Sequence, residues 1–162
     1  MENLLDSNTL TVGDVVPDFT ATATSNKNVQ LSACAGYPVV LFFYPKDNTP
    51  GCTLEGQDFT KYYNDFKALQ TCIFGVSRDS LSSHEKFKSK FTFPFELIAD
   101  PDESLCNLFN VIKMKNMYGR QVRGIERSTF LIDAKGTLVN EWRKVKVQGH
   151  VEAVLAAAKA LT

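Results

Sequence analysis

The thiol of Cys52 is the group in this 162-residue chain best placed to do chemistry. It ends the stretch Pro45-Lys46-Asp47-Asn48-Thr49-Pro50-Gly51-Cys52, directly after the apolar run Val39-Val40-Leu41-Phe42-Phe43-Tyr44. Downstream, Phe59, Tyr62, Tyr63, Phe66 and Leu69 recur at helical spacing, while Pro50 and Gly51 punctuate the turn before them. The pattern predicts a buried strand handing over to a helix, with Cys52 at the helix N-terminus. A free thiol has a pKa near 8.5 and is ~3% thiolate at pH 7, whereas a helix N-terminus and nearby cations bring the value to about 3.5–7.5. A pKa near 6 would raise the thiolate fraction roughly 30-fold, but the accompanying loss of nucleophilicity, with a Brønsted slope of about 0.4–0.5, cancels about tenfold of that gain. Fast thiol chemistry therefore needs donors that orient an electrophile and stabilise charge on the leaving atom. Thr49, three residues upstream on the same turn, and Arg127 are the candidates, joined by the backbone N–H groups of Gly51 and Cys52.

The elements that must hold these groups follow from the rest of the chain. Residues 18–24 and 29–31 read as strands of an opening hairpin around Ser25-Asn26-Lys27-Asn28, with residues 1–12 loosely held. Residues 39–44 are apolar without alternation, as in a central strand covered on both faces. The helix is expected over residues 52–69, followed by a short buried strand, Cys72-Ile73-Phe74-Gly75-Val76-Ser77. That order implies a β-α-β crossover and a parallel strand pair. Leu81, His84, Phe87 and Phe91 mark a second helix, residues 95–98 a further strand, and residues 104–109 a helix after the turn Asp100-Pro101-Asp102-Glu103. Residues 114–124 read as an irregular, partly basic loop. Residues 128–133 and 137–142 flank Ala134-Lys135-Gly136 as a hairpin, and Val151, Val154, Leu155, Ala158 and Leu161 form the stripe of a last helix. The fold class is α/β, a central mixed sheet flanked by helices with an N-terminal β-hairpin. No linker or repeat divides it, so one domain over residues 1–162 is expected.

Eighteen basic residues balance eighteen acidic ones, which gives no global field toward nucleic acid or an anionic membrane. Apolar runs reach only about six residues against the roughly 20 needed to span a bilayer. The start, Met1-Glu2-Asn3-Leu4-Leu5-Asp6, has neither the basic nor the apolar region of a secretory signal, so a cytoplasmic location is expected. Four widely spaced cysteines, Cys34, Cys52, Cys72 and Cys106, make no disulfide scaffold. No C-x-x-C pair occurs, and His84 and His150 lack ligand-like neighbours, so no metal is expected.

The spacing of Pro45, Thr49 and Cys52 resembles the P-x-x-x-T-x-x-C signature of peroxiredoxins, thiol peroxidases with a thioredoxin-like fold. The stretch from Phe43 to Thr53 is similar to the bacterioferritin-comigratory-protein subgroup, or PrxQ. So are Gly75-Val76-Ser77-Arg78-Asp79-Ser80, Lys115-Asn116-Met117-Tyr118-Gly119 and Gly124-Ile125-Glu126-Arg127-Ser128-Thr129-Phe130-Leu131. The resemblance implies that Cys52 attacks the terminal oxygen of a hydroperoxide and becomes a sulfenic acid, releasing water or alcohol. Arg127 then stabilises thiolate and departing oxygen with its planar fork, and Pro45 shields the thiolate. Hydrogen peroxide and organic hydroperoxides are the implied substrates, sulfur carries the electrons without a cofactor, and the chain is implied to be a monomer. The implied reductant is a thiol, thioredoxin or glutaredoxin with glutathione.

Members of that subgroup often carry a resolving cysteine five residues after the first or on the next helix; here those positions hold Gln57 and Lys88. A one-cysteine cycle is therefore expected, with Cys34, Cys72 or Cys106 as alternative resolving partners. Cys34 is the most exposed candidate of the three, and Cys72 and Cys106 read as packing residues. Two other classes compete. A dithiol reductase would need a pair such as C-x-x-C, but Glu55 lies three residues past Cys52. A silent binding or chaperone-like domain would have little use for intact Pro45, Thr49, Cys52 and Arg127. His84 is expected to pack on its helix, His150 to be structural, and Arg143-Lys144-Val145-Lys146 to be a solvated strand end. Phe43, Tyr44 and Phe91 are candidates for an apolar collar around organic hydroperoxides.

Overall fold

In the computed structural model, which describes residues 9–161, five consecutive residues of one strand are buried on both faces and organise everything else. This strand is β3 (Val39–Phe43). It lies inside a seven-stranded mixed sheet with β1 (Thr20–Ala23), β2 (Lys27–Gln30), β4 (Cys72–Ser77), β5 (Glu96–Ala99), β8 (Ser128–Ile132) and β9 (Leu138–Trp142). The strand order is β2-β1-β5-β4-β3-β8-β9. Strand β3 pairs in parallel with β4 and antiparallel with β8, so the expected crossover and central strand are both present.

Alternation along β3 sends side chains to two cores. Val39, Leu41 and Phe43 join Leu105, Cys106, Phe109 and Phe130 on one face. Val40, Phe42 and Tyr44 join Phe59, Phe66, Phe87 and Val154 on the other. The helices on this second face are α1 (Pro50–Lys61), α2 (Tyr63–Ala68), α3 (Leu81–Phe91) and α5 (His150–Lys159); α4 (Ser104–Leu108) lies on the first. Phe42 stacks on Phe59 of α1 at 4.5 Å between ring centroids, which ties the helix to the central strand.

The opening hairpin turns at Ser25 and Asn26, both at φ 61°, as a type I′ turn requires. Of the segment expected to be loose, residues 1–8 lie outside the described residues. Leu10 is buried against the first core, and Gly13 N–H donates to Leu138 O at 2.8 Å. The long helix expected over residues 52–69 begins at Pro50 and breaks at Tyr62, whose backbone (φ −101°, ψ 11°) separates α1 from α2. Residues 114–124 are not an irregular loop. They belong to a two-stranded hairpin, β6 (Ile112–Met117) and β7 (Arg120–Ile125), turning at Tyr118 and Gly119 with positive φ. Most of its side chains are partly or fully exposed, so no apolar alternation marks it in the sequence. Leu161, assigned to the last helical stripe, lies beyond the end of α5 and is exposed.

Candidate active site

Thr49 is the residue immediately before α1, whose first three residues are Pro50, Gly51 and Cys52. Proline suits this position, because the first N–H of a helix has no intrahelical acceptor and its ring fixes a helical φ. Thr53 N–H donates to Thr49 O at 2.9 Å, while the Gly51 and Cys52 N–H groups belong to the unpaired first turn. These groups and the helix dipole favour negative charge where Cys52 sits. The Thr49 side chain does not cap the helix. Its hydroxyl donates to Lys46 O at 2.8 Å, which leaves the oxygen lone pairs free to accept from a bound group. Pro45 is half-buried at the end of β3.

Sheet register brings Arg127 to the same place. Phe43, the last residue of β3, pairs with Ser128, the first of β8, so Arg127 lies alongside the turn that leaves β3. Glu126 N–H donates to Val111 O at 2.7 Å and Val145 N–H to Arg127 O at 3.0 Å, fixing the backbone on both sides. The guanidinium donates from Nη2 to Cys52 Sγ at 3.4 Å and from Nη1 to Glu55 Oε1 at 2.8 Å. Gly51 leaves room for this approach, because a Cβ there would stand 3.0 Å from Nη2. Cys52 itself is 2% exposed, so the sulfur lies recessed under the arginine. Pro45, Thr49, Cys52 and Arg127 thus gather at one end of β3.

Glu55 was expected only as the residue that breaks a C-x-x-C pair, and the structure gives it a larger part. It falls one helical turn after Cys52, on the same face, and is fully buried. Burial lifts its carboxyl to about 7 against the opposing pull of Arg127. Its Oε2 has no hydrogen-bond partner and lies 4.0 Å from His150 Nε2. His150 opens α5, shares a 2.8 Å hydrogen bond with Thr129 Oγ1, and packs edge-on against Trp142 at 5.8 Å. Burial, and then the charge of Arg127, depress its pKa to about 4, so it stands neutral behind the carboxylate at pH 7. Lys115 of β6 adds a second cation near Cys52 and Arg127; its Nζ donates to Ile125 O, and burial followed by Arg127 lowers its pKa. Glutamate three residues after a cysteine on a helix was a usable signal for the first of these residues; nothing local in the sequence marked His150 or Lys115.

A second buried network braces the turn from behind. Asp47 accepts from Tyr44 Oη at 2.6 Å and Ser83 Oγ at 2.8 Å, and pairs with His84 Nδ1 at 2.7 Å. His84 Nε2 lies 2.9 Å from Ile98 O. Asp79 accepts from Asp47 N–H at 2.8 Å and from Ser77 Oγ at 2.6 Å. Asp47, Asp79 and His84 bring ligand-type atoms within 4.8 Å of one another, yet these atoms are held by protein hydrogen bonds. His84 is therefore a bonded strut, more than the partly buried packing residue expected.

The expected apolar collar is absent. Phe43 and Tyr44 are fully buried and belong to opposite cores, and Phe91 packs on Phe87 and Phe93. Arg143 is also engaged: its guanidinium donates to Phe109 O and Asn110 O and lies 5.2 Å from the centre of the Phe130 ring. Cys106 is fully buried in the first core, where burial and the Asp100 carboxylate push its thiol pKa far up. Gln57 is exposed on α1, and Lys88 on α3 donates to Phe93 O at 3.0 Å. No helix among the described residues is long and apolar enough to cross a membrane.

Residues 12–141 match the AhpC/TSA family. The chain is 53% identical over 143 residues to a peroxiredoxin Bcp of Xanthomonas campestris pv. campestris, covering 88% of this chain and 89% of the relative. It is 46% identical over 151 residues to peroxiredoxin Bcp of Bacillus subtilis, covering 93% and 96%. Among solved structures, Xanthomonas campestris bacterioferritin comigratory protein, studied for alkyl peroxide reduction, superposes with a TM-score of 0.84 at 52% identity over 88% of this chain and 90% of that one. A cysteine-to-serine mutant of Xylella fastidiosa PrxQ gives a TM-score of 0.89 at 42% identity, covering 93% and 96%. The fold is thioredoxin-like, as the sequence motifs implied. By family model, sequence and fold, the chain belongs to the AhpC/TSA family, among the peroxiredoxins of the Bcp/PrxQ kind, which are thiol-dependent peroxidases.

Proposed function

We propose that Cys52 is the peroxide-reducing nucleophile, with Arg127, Thr49 and Pro45 as its immediate helpers. The observation that carries this reading is the 3.4 Å contact between Arg127 Nη2 and Cys52 Sγ, with Nη1 held by Glu55. A thiolate under that guanidinium attacks the terminal oxygen of a hydroperoxide. The O–O bond breaks, Cys52 becomes a sulfenic acid, and the remaining oxygen leaves as water or an alcohol once protonated. Arg127 can follow the charge from sulfur to the departing oxygen, a displacement suited to a planar donor with several N–H groups. The Thr49 oxygen accepts a hydrogen bond from the incoming hydroperoxide, and Pro45 keeps water from the sulfur.

Hydrogen peroxide and small organic hydroperoxides are the substrates on this reading, and an external thiol, thioredoxin or glutaredoxin with glutathione, reduces the sulfenic acid. A one-cysteine cycle is favoured by the positions of the other thiols. Cys106 is sealed in the opposite core. Cys72 pairs with Val39 at the beginning of β3, whereas Cys52 follows its end. Four residues of strand span about 13 Å, well beyond the roughly 7 Å between Cα atoms that a disulfide permits. One domain, a monomeric state and a cytoplasmic location complete the proposal. Peroxide consumption driven by dithiothreitol tests it: Cys52→Ser should remove nearly all of the turnover, while Cys34→Ser, Cys72→Ser and Cys106→Ser keep it. Undiminished turnover in Cys52→Ser would overturn the assignment.

A further inference from the structure

Two thiols that take no part in this site meet at the other end of the sheet. Cys34 ends the 3-10 turn Leu31–Cys34, and Cys72 opens β4. They lie 38 positions apart in sequence, yet both adjoin Val39, which pairs with Cys72 in the sheet and shares a cleft wall with Cys34, and both pack against the first core. The backbone holds them there. Tyr37 N–H donates to Cys34 O at 3.0 Å, and Cys72 N–H donates to Pro38 O at 2.9 Å, so one short turn links both residues to the start of β3. Neither thiol is sealed in the core. Both are half-buried, Cys34 in the wall of a cleft of about 170 Å³ and Cys72 in the wall of one of about 460 Å³, with Tyr37 shared between the two.

We propose that Cys34 and Cys72 form a second redox pair, independent of Cys52, which a hydroperoxide converts into an intramolecular disulfide. Two thiols this close give up one proton more readily than two: the neighbouring Cys72 draws Cys34 down to about 7 and Cys34 pushes Cys72 up, which makes Cys34 the nucleophile and Cys72 the waiting thiol. The Cys34 thiolate attacks the terminal oxygen of ROOH; the O–O bond breaks, RO⁻ takes a proton and leaves as ROH, and Cys34 is left as a sulfenic acid. Cys72 then attacks that sulfur as it loses its proton; the S–O bond breaks and the hydroxyl leaves with the proton as water. Two thiols lose two electrons and two protons, and the hydroperoxide gains both. An external dithiol restores the pair by exchange. A half-buried, merely packed cysteine has no partner sulfur to complete the second step; here a second thiol stands across one short turn.

The test uses Cys52→Ser, so that failure of the Cys52 assignment and failure of this one remain distinct. After hydrogen peroxide treatment and alkylation of the denatured chain, the mass should be lower by two hydrogens before label is counted. Only one of the three remaining cysteines, Cys106, should take label. A tryptic digest should contain residues 28–46 linked to residues 68–78, and dithiothreitol should release them. Adding Cys34→Ser should leave two labelled cysteines, adding Cys72→Ser should leave Cys34 with added oxygen and no linked peptide, and the same linked peptides should form in the unsubstituted chain. Three labelled cysteines, oxygen added to Cys34 while Cys72 still takes label, or a linkage that includes Cys106 would each overturn the proposal.

Discussion

Arg127 divides one guanidinium between Cys52 and Glu55: Nη2 lies 3.4 Å from the sulfur, and Nη1 lies 2.8 Å from a carboxylate that is fully buried. The carboxylate fixes the plane of the fork, and the fork fixes the charge over the sulfur. Lysine offers a point charge without a second, rigidly oriented donor. Arg127→Lys should lower kcat/KM for hydrogen peroxide by about 100-fold, the scale set by loss of one oriented donor at a developing charge. Stopped-flow peroxide reduction measures it; a change below about threefold would contradict the shared-guanidinium geometry.

Gly51 tests the same geometry from the other side. A Cβ there would stand 3.0 Å from Arg127 Nη2, so Gly51→Ala should shift the guanidinium by a few tenths of an ångström. Activity should fall about tenfold, because reacting groups tolerate little displacement. Alanine is the better helix former by roughly 1 kcal/mol, so thermal stability should hold or rise. Activity and stability moving down together would instead indicate general damage to α1.

The buried carboxyl of Glu55 makes a pH prediction with a definite sign. Its pKa rises from 4.5 in the unfolded chain to about 7 in the folded one. Its contribution to stability is therefore complete below pH 4.5 and is lost as the pH rises through 7. The total change is about 3 kcal/mol. His150 acts in the opposite sense: its pKa falls from 6.5 to about 4, so its contribution is full above 6.5 and is lost as the pH falls through 4. The two largely offset each other in the native protein between those values. Glu55→Gln removes one half of the balance, so its stability relative to the native chain should rise by about 3 kcal/mol between pH 4.5 and pH ~7.5. Urea unfolding at the two pH values checks this, and a difference that does not change with pH would contradict it.

The brace behind the catalytic turn predicts a stability defect. Asp47→Ala strips partners from Tyr44, Ser83 and His84 together, all in a buried setting. The loss should be about 3 kcal/mol, and Thr49, two residues along the same turn, should lose its fixed orientation. Urea unfolding gives the first quantity and peroxide turnover the second. A stability change below about 1 kcal/mol would show that the network is not a support.

Several of these relationships could be read from the sequence and others could not, for identifiable reasons. The junction at Cys52 was legible because a strand buried on both faces is a continuous apolar run and Pro50-Gly51 stops it. Strand β4 was legible for the first of these reasons, and the β8–β9 hairpin through Gly136 at φ 90°. The β6–β7 hairpin was not, because charged and polar side chains cover it and Tyr118, at its tip, is 98% exposed. Phe43 and Tyr44 suggested a substrate collar only while their facing was unknown; as neighbours on a strand they point into opposite cores. Glu55 carried a local signal in its spacing from Cys52. The meetings of His150 with Glu55, and of Cys34 with Cys72, depend on long-range packing that local spacing does not encode.

Trapping the oxidised product shows whether one recessed sulfur under Arg127 carries the peroxidase reaction. The enzyme is given one equivalent of hydrogen peroxide in the presence of dimedone, and the modified residue is located by peptide mass mapping. The expected result is an adduct chiefly on Cys52, and loss of that adduct together with most of the dithiothreitol-driven turnover in Cys52→Ser. Undiminished turnover by Cys52→Ser, or an unmodified Cys52 in an enzyme that has consumed its equivalent of peroxide, would contradict it.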